Sequence, residues 1–129
     1  MKKKSIVLYA DDDADDRLLL ADAFEQVSNE HYLELLNDGL AVIDFLREKT
    51  PPLPCLLILD LNMPGLSGTE VMEKVKADPR YESLRIVVFT TSSSIIDKEI
   101  CSSFGVEMIT KPADLKEFEA AALQLLNYC

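Results

Sequence analysis

Four groups of polar residues stand directly behind short apolar runs. Asp11, Asp12 and Asp13 follow Ser5–Tyr9 (SIVLY) and Ala10; Asp60 follows Cys55–Leu59 (CLLIL). Thr90 and Thr91 follow Arg85–Phe89 (RIVVF), and Lys111-Pro112 follows Val106–Ile109 and Thr110. A carboxylate can attack phosphorus and form an acyl phosphate. Carboxylates brought together repel one another, and a hard divalent cation relieves the conflict. Mg²⁺ suits such a set because it takes oxygen ligands, needs only one or two carboxylates and keeps waters that a phosphate can replace. A hydroxyl and an ammonium nearby are donors for phosphate oxygens. These residue types together describe an acidic nucleophile, a magnesium ion and a transferred phosphoryl group. Catalysis there would be mostly positioning and charge neutralisation.

The elements needed to position these groups can be read from the spacing of apolar residues. The runs 5–9, 55–59 and 85–89 suit strands buried on both faces, as in a parallel sheet. Weaker strands are expected at Tyr32–Leu36 and Val106–Ile109. Helical spacing joins Leu20, Phe24 and Val27, then Val42 and Leu46, then Val71 and Val75, and finally Leu115, Phe118, Ala122 and Leu125. Asp114 or Ala113, behind Pro112, opens the last helix, and Pro79 closes the one that begins near Ser67. Five β-α units in this order predict a doubly wound α/β fold, a five-stranded parallel sheet with helices on both faces. In such sheets ligands bind outside the carboxyl ends of the strands, at the switch in strand order. All four polar groups fall at that edge.

The 129 residues correspond to one domain, 1–129, with no output domain expected. A chain of this size buries a sizeable core without disulfides or structural metal. Its formal net charge of −10 disfavours nucleic acid as a partner. The one basic run, Lys2-Lys3-Lys4, reads as a solvated end. No apolar run approaches the roughly 20 residues of a membrane span, and Asp11 interrupts any signal-peptide pattern. Cys55, Cys101 and Cys129 are odd in number, widely spaced and form no CxxC pair. They read as a reducing cytoplasmic setting, with Cys55 a small core residue.

The motifs resemble those of the receiver domain of response regulators in two-component signalling. The likeness runs from about Ser5 to Leu126. It rests on Tyr9-Ala10-Asp11-Asp12-Asp13, the segment 57–68 (LILDLNMPGLSG), Phe89-Thr90-Thr91 and Thr110-Lys111-Pro112. Each piece alone is moderately specific; four in order, each at a strand end, are very specific. The resemblance implies a flavodoxin-like receiver fold with Asp60 as phosphoacceptor. It implies that Asp12 and Asp60 hold Mg²⁺ directly, Asp11 through water and Asn62 through its backbone carbonyl. Thr90, Lys111 and the Thr91 N–H would bind the phosphoryl oxygens, and the Lys111–Pro112 bond would be cis, which only an X–Pro bond allows cheaply. The chain is similar to stand-alone regulators of the chemotaxis type and to those that partner phytochrome-type kinases. The implied partners are a histidine kinase or phosphotransfer protein and a downstream protein, with the chain itself a switch or relay intermediate rather than an enzyme.

Two positions are expected to shape communication. Leu18, Leu19 and Leu20 are consecutive and turn by ~100° each on a helix. Leu20 joins Ala23, Phe24 and Val27; Leu18 falls nearly opposite and Leu19 at the flank. An exposed leucine beside the site suggests a partner surface, and the family docks this helix on the kinase's phosphohistidine bundle. In the family, the hydroxyl at the Thr90 position moves toward the phosphoryl group and an aromatic ring three residues before the lysine turns inward. Here that residue is Met108, a departure from the pattern. Methionine fits either arrangement at similar cost, so phosphorylation is expected to alter the fourth helix, fifth strand and fifth helix less sharply.

Other readings compete. Asp13, Asp15 and Asp16 read as a solvated helix start, since carboxylates favour a helix N-terminus. A calcium loop using Asp11, Asp13, Asp15 and Asp22 fails because its sixth position is Asp16 rather than glycine. His31, the only histidine, reads as an inert loop residue, so a phosphohistidine must come from another protein. The chain has no ATP-binding loop. An aspartate-based phosphatase of the haloacid dehalogenase kind needs a second Asp two residues after the nucleophile, where this chain has Asn62. A non-phosphorylated receiver scaffold conflicts with the presence of Asp11, Asp12, Asp60, Thr90 and Lys111.

Overall fold

The computed structural model describes residues 4–48 and 52–129. Lys2 and Lys3 of the basic run, and Pro51 of the proline stretch, lie outside the described residues. Five parallel strands form one sheet in the order β2-β1-β3-β4-β5: β1 (Ser5–Ala10), β2 (His31–Leu36), β3 (Leu56–Leu59), β4 (Arg85–Thr90) and β5 (Glu107–Thr110). Helices α1 (Ala14–Val27), α2 (Gly39–Glu48), α3 (Gly68–Ala77), α4 (Ile95–Ser103) and α5 (Leu115–Leu126) connect and follow them. The expected α/β architecture is the observed one.

The central strands are apolar throughout because both faces are covered. Along β1, Leu8 and Ala10 pack with α2 and α3 residues such as Val42, Leu46, Val71 and Val75. Val7 and Tyr9 point the other way, to Leu20, Phe24, Phe118 and Leu125 of α1 and α5. Leu56 to Leu59 have no exposed surface, and truncating one such leucine to alanine would cost about 2–5 kcal/mol. The edge strands β2 and β5 are only partly buried, which is why their sequence signal is weaker.

Local chemistry sets the helix ends. Asp13 caps α1 by accepting hydrogen bonds from the N–H groups of Asp15 and Asp16. Ser67 and Glu70 form a reciprocal capping box on α3, and Asp114 caps α5. Helix α3 ends at Ala77, and Pro79 opens a short 3₁₀ turn as far as Tyr81.

The strand bounds differ slightly from the sequence expectation. β1 and β4 reach Ala10 and Thr90, β3 begins at Leu56, and β5 spans Glu107–Thr110. His31 is the first residue of β2 rather than a loop residue, and its Nδ1 lies 2.7 Å from the Ser28 hydroxyl.

The cysteines correct the sequence reading. Cys55 and Cys129 form a disulfide across 74 residues, with Cα atoms 5.0 Å apart. Cys55 is therefore a half-buried cross-linked residue, not a free core thiol, and the reducing setting inferred from unpaired cysteines loses its basis. The parallel topology is the cause. β3 starts at the amino edge of the sheet, where the Cys55 N–H donates to Ile6 O at 2.9 Å, and α5 returns to that edge. Cys101, buried in α4, is free. No helix among the described residues is long and apolar enough to cross a membrane.

Candidate functional site

The chain reverses its direction of travel across the sheet at β1, which lies between β2 and β3. The crevice of a doubly wound sheet opens there. Ala10 pairs with Leu59, and Leu59 with Val88, so the residues after these strands emerge side by side. Backbone bonds carry the ladder past the strand ends: the Asp60 N–H donates to Ala10 O at 3.0 Å, and the Lys111 N–H to Thr90 O at 2.9 Å. The positions of Asp11, Asp60, Thr90 and Lys111 are thus fixed by the sheet itself.

Two glycines let the β3–α3 segment fold tightly over Asp60. Gly65 has φ of 73°, in the left-handed region that favours glycine. A Cβ on Gly68 would collide with the carbonyl oxygen of Asp60. Without it, the start of α3 closes against that backbone, and the Gly68 N–H donates to Leu61 O at 3.0 Å.

Carboxylate oxygens of Asp11, Asp12 and Asp60 all lie within 4.8 Å of one another. Asp11 is fully buried and committed to the protein. Its Oδ2 accepts from the Tyr9 hydroxyl at 2.6 Å and lies 2.7 Å from Lys111 Nζ, and its Oδ1 accepts from the Asp13 N–H at 2.9 Å. Asp12 is exposed, and its carboxylate has no partner among the described residues. Asp60 is buried, with Oδ1 3.4 Å from the Asn62 N–H and Oδ2 3.1 Å from Lys111 Nζ. This donor set fits a hard divalent cation: it is all oxygen, and its most exposed member is uncommitted.

Lys111 is the cationic hub, and its side chain is only 5% exposed. Besides Asp11 and Asp60 it meets Asp16 at 2.8 Å. Burial works to lower its pKa, but hydrogen bonds with Asp11 and Asp16 and the charges of Asp60 and Asp11 outweigh that, so it stays well above the usual lysine value. Burial holds the Asp60 carboxyl above its ordinary range; Lys111 opposes the shift and Asp11 adds to it. Both effects follow from a buried site in which three carboxylates share one ammonium.

Thr90 is fully buried, and its hydroxyl accepts from the Ser92 N–H at 3.2 Å; Thr91 beside it is exposed. Asn62 is exposed, and Pro112 is half-buried. Met108, paired with Val88, is partly buried against the α2–α3–α4 side of the sheet. Leu18 is 61% exposed, whereas Leu19 packs partly against the α1–α5 core.

Asp16 is the residue that sequence reasoning missed. Its place in the sequence reads as a solvated helix start, yet its carboxylate reaches Lys111 at 2.8 Å. Asp16 precedes Leu20 by one helical turn, on the face that α1 presents to the core, and that spacing was the available signal.

A family model for the response regulator receiver domain matches residues 7–123. Response regulator Rcp1 of Synechocystis sp. is 33% identical over 121 residues, which are 88% of this chain and 80% of that protein. The probable methanogenesis regulatory protein FilR2 of Methanothrix harundinacea is 29% identical over 127 residues, covering 95% of this chain and 82% of its own length. The crystal structure of Mn²⁺-bound Rcp1 superposes with a TM-score of 0.83 at 30% identity, covering 93% of this chain and 90% of that one. The phosphorylated cyanobacterial phytochrome response regulator RcpA superposes with a TM-score of 0.88 at 25% identity, covering 97% and 93%. Nothing in the site or in these likenesses supports the haloacid dehalogenase alternative.

Proposed function

The chain belongs to the response regulator receiver family, and from that premise we propose that it accepts a phosphoryl group on Asp60 from a partner histidine kinase or phosphotransfer protein. Receiver domains are phosphorylation-dependent signalling switches that take phosphoryl groups from histidine kinases. The observation that carries the assignment to Asp60 is its place among Asp11, Asp12 and Lys111 at the carboxyl end of β3.

An Asp60 carboxylate oxygen bonds to phosphorus as the donor's bond to phosphorus breaks, and that electron pair leaves with the donor. Asp12 and Asp60, with the Asn62 carbonyl, would hold Mg²⁺, while Asp11 is oriented by Tyr9 and Lys111. When bound, Mg²⁺ offsets the crowded carboxylates and draws charge from the phosphoryl oxygens. Lys111, the Thr90 hydroxyl and the Thr91 N–H donate to those oxygens. The acidic donor set supports the metal reading, as does the Mn²⁺-bound state of the relative Rcp1. The phosphorylated state of RcpA supports the chemistry.

The chain acts as a phosphoryl acceptor that hands its signal to another protein, not as an enzyme with an external substrate. Met108 of β5, beside Val88 of β4, replaces an aromatic switch residue and softens the report to α4 and α5. The test is incubation with Mg²⁺ and acetyl phosphate, followed by intact mass. A transient adduct of one phosphoryl group that Asp60→Asn abolishes supports the reading. Rapid turnover of many phosphomonoesters without such an adduct overturns it.

A further inference from the structure

The carboxylates around Lys111 divide into two kinds. Asp11, Asp12 and Asp60 converge on one another. Asp16 stands outside that set and touches only the ammonium, at 2.8 Å. We propose that Asp16 is a positioning residue for phosphoryl transfer, keeping the Lys111 ammonium over Asp60 while Asp60 changes from anion to acyl phosphate. The inference rests on Asp60 being the acceptor.

A lysine ammonium has three N–H donors, and here three carboxylates surround it, Asp11 at 2.7 Å, Asp16 at 2.8 Å and Asp60 at 3.1 Å. Transfer spends one of them. As the bond from Asp60 to phosphorus forms, the negative charge moves to the phosphoryl oxygens, and the N–H that faced Asp60 passes to one of those. Without Asp16, Asp11 would be the one protein carboxylate left to hold the buried ammonium while its third contact changes, and burial of a charge is tolerated only when it is well paired. Asp11 is itself divided between Tyr9, Asp13 and Lys111. Asp16 supplies the second fixed contact, from a rigid helix.

An ordinary helix-start carboxylate does not account for this. Asp15 and Asp16 both stand in the first turn of α1, and the helix end favours both charges. Asp15 is exposed, but the Asp16 side chain, 22% exposed, reaches a residue 95 positions away on the loop after β5.

The test compares wild type, Asp16→Ala and Asp16→Asn. Adduct formation from acetyl phosphate is followed across a Mg²⁺ titration, and the Lys111 ammonium resonance is observed by ¹H–¹⁵N NMR. In Asp16→Ala the rate at saturating Mg²⁺ falls by about tenfold or more. The Mg²⁺ concentration for half-maximal rate changes little, and the Lys111 resonance broadens. Asp16→Asn keeps an oxygen acceptor and recovers part of the rate. An unchanged rate and Lys111 resonance in Asp16→Ala overturn the proposal. So does loss of Mg²⁺ binding without loss of the saturated rate, which would put Asp16 among the metal ligands. If wild type forms its adduct on Asp60 and Asp16→Ala matches it, only this inference fails. If wild type forms none there, the acceptor reading fails and takes this one with it.

Discussion

The Tyr9 hydroxyl donates a 2.6 Å hydrogen bond to Asp11 Oδ2, and neither residue has any exposed surface. Burial, and then the bond to Asp11, push the Tyr9 pKa well above the usual tyrosine value, so the phenol remains a donor. The Tyr9 ring meets Phe89 edge-on at 6.1 Å, and Phe89 meets Phe118 of α5 at 5.9 Å. The orientation of one site carboxylate is therefore tied to the packing of α5. Tyr9→Phe keeps the rings and leaves Asp11 short of a donor, which should cost about 1–3 kcal/mol. Urea unfolding with an unchanged slope and a lower midpoint is the expected result; an unchanged midpoint would contradict it.

Magnesium should stabilise the native state, because only the folded chain gathers Asp11, Asp12 and Asp60. At a hundred times the dissociation constant the gain is about 2.7 kcal/mol. Thermal unfolding in rising Mg²⁺ should show an upward shift in midpoint, lost in Asp12→Ala. Indifference of the wild type to millimolar Mg²⁺ would count against the metal site.

The Cys55–Cys129 bond closes a long loop. In the chain-entropy account Cys129→Ser lowers stability by about 4 kcal/mol under oxidising conditions, and the difference vanishes with reductant. Once reduced, Cys55 and the exposed Cys129 should react readily with an alkylating agent. Cys101 should react slowly, because burial, and then Asp97, push its thiol pKa up. Equal labelling of all three would contradict the packing of α4.

Leu18 is the large exposed apolar residue of α1, while Leu19 is partly committed to the core. Leu18→Asp should slow phosphoryl transfer from a histidine kinase that phosphorylates the wild type. The rate from acetyl phosphate should be unaltered. Equal transfer rates from the kinase would remove Leu18 from the docking surface. Leu19→Ser should instead lower stability.

The sequence made the central sheet legible because β1, β3 and β4 are buried on both faces and read as unbroken apolar runs. Asp11, Asp60, Thr90 and Lys111 were legible for the same reason, since polar groups directly behind such runs must lie on one edge. β5 was harder to bound: it is an edge strand, and Glu107 at its start is exposed. The disulfide was not legible, because Cys55 and Cys129 meet only through the return of α5 to the start of β3. Asp16 was hidden in a run of carboxylates that all favour a helix start. Only its position one turn before Leu20 separated it from Asp15.

Asp60 is expected to carry the phosphoryl group. Aspartyl phosphate is an acyl phosphate, and borohydride reduces it to an alcohol, leaving homoserine at the modified position. The chain phosphorylated with acetyl phosphate and Mg²⁺, reduced and digested, should yield homoserine at residue 60 in tandem mass spectra, absent when Mg²⁺ is omitted. Homoserine at Asp11 or Asp12 instead, or none at residue 60 despite a phosphoryl adduct in the intact protein, would contradict the account.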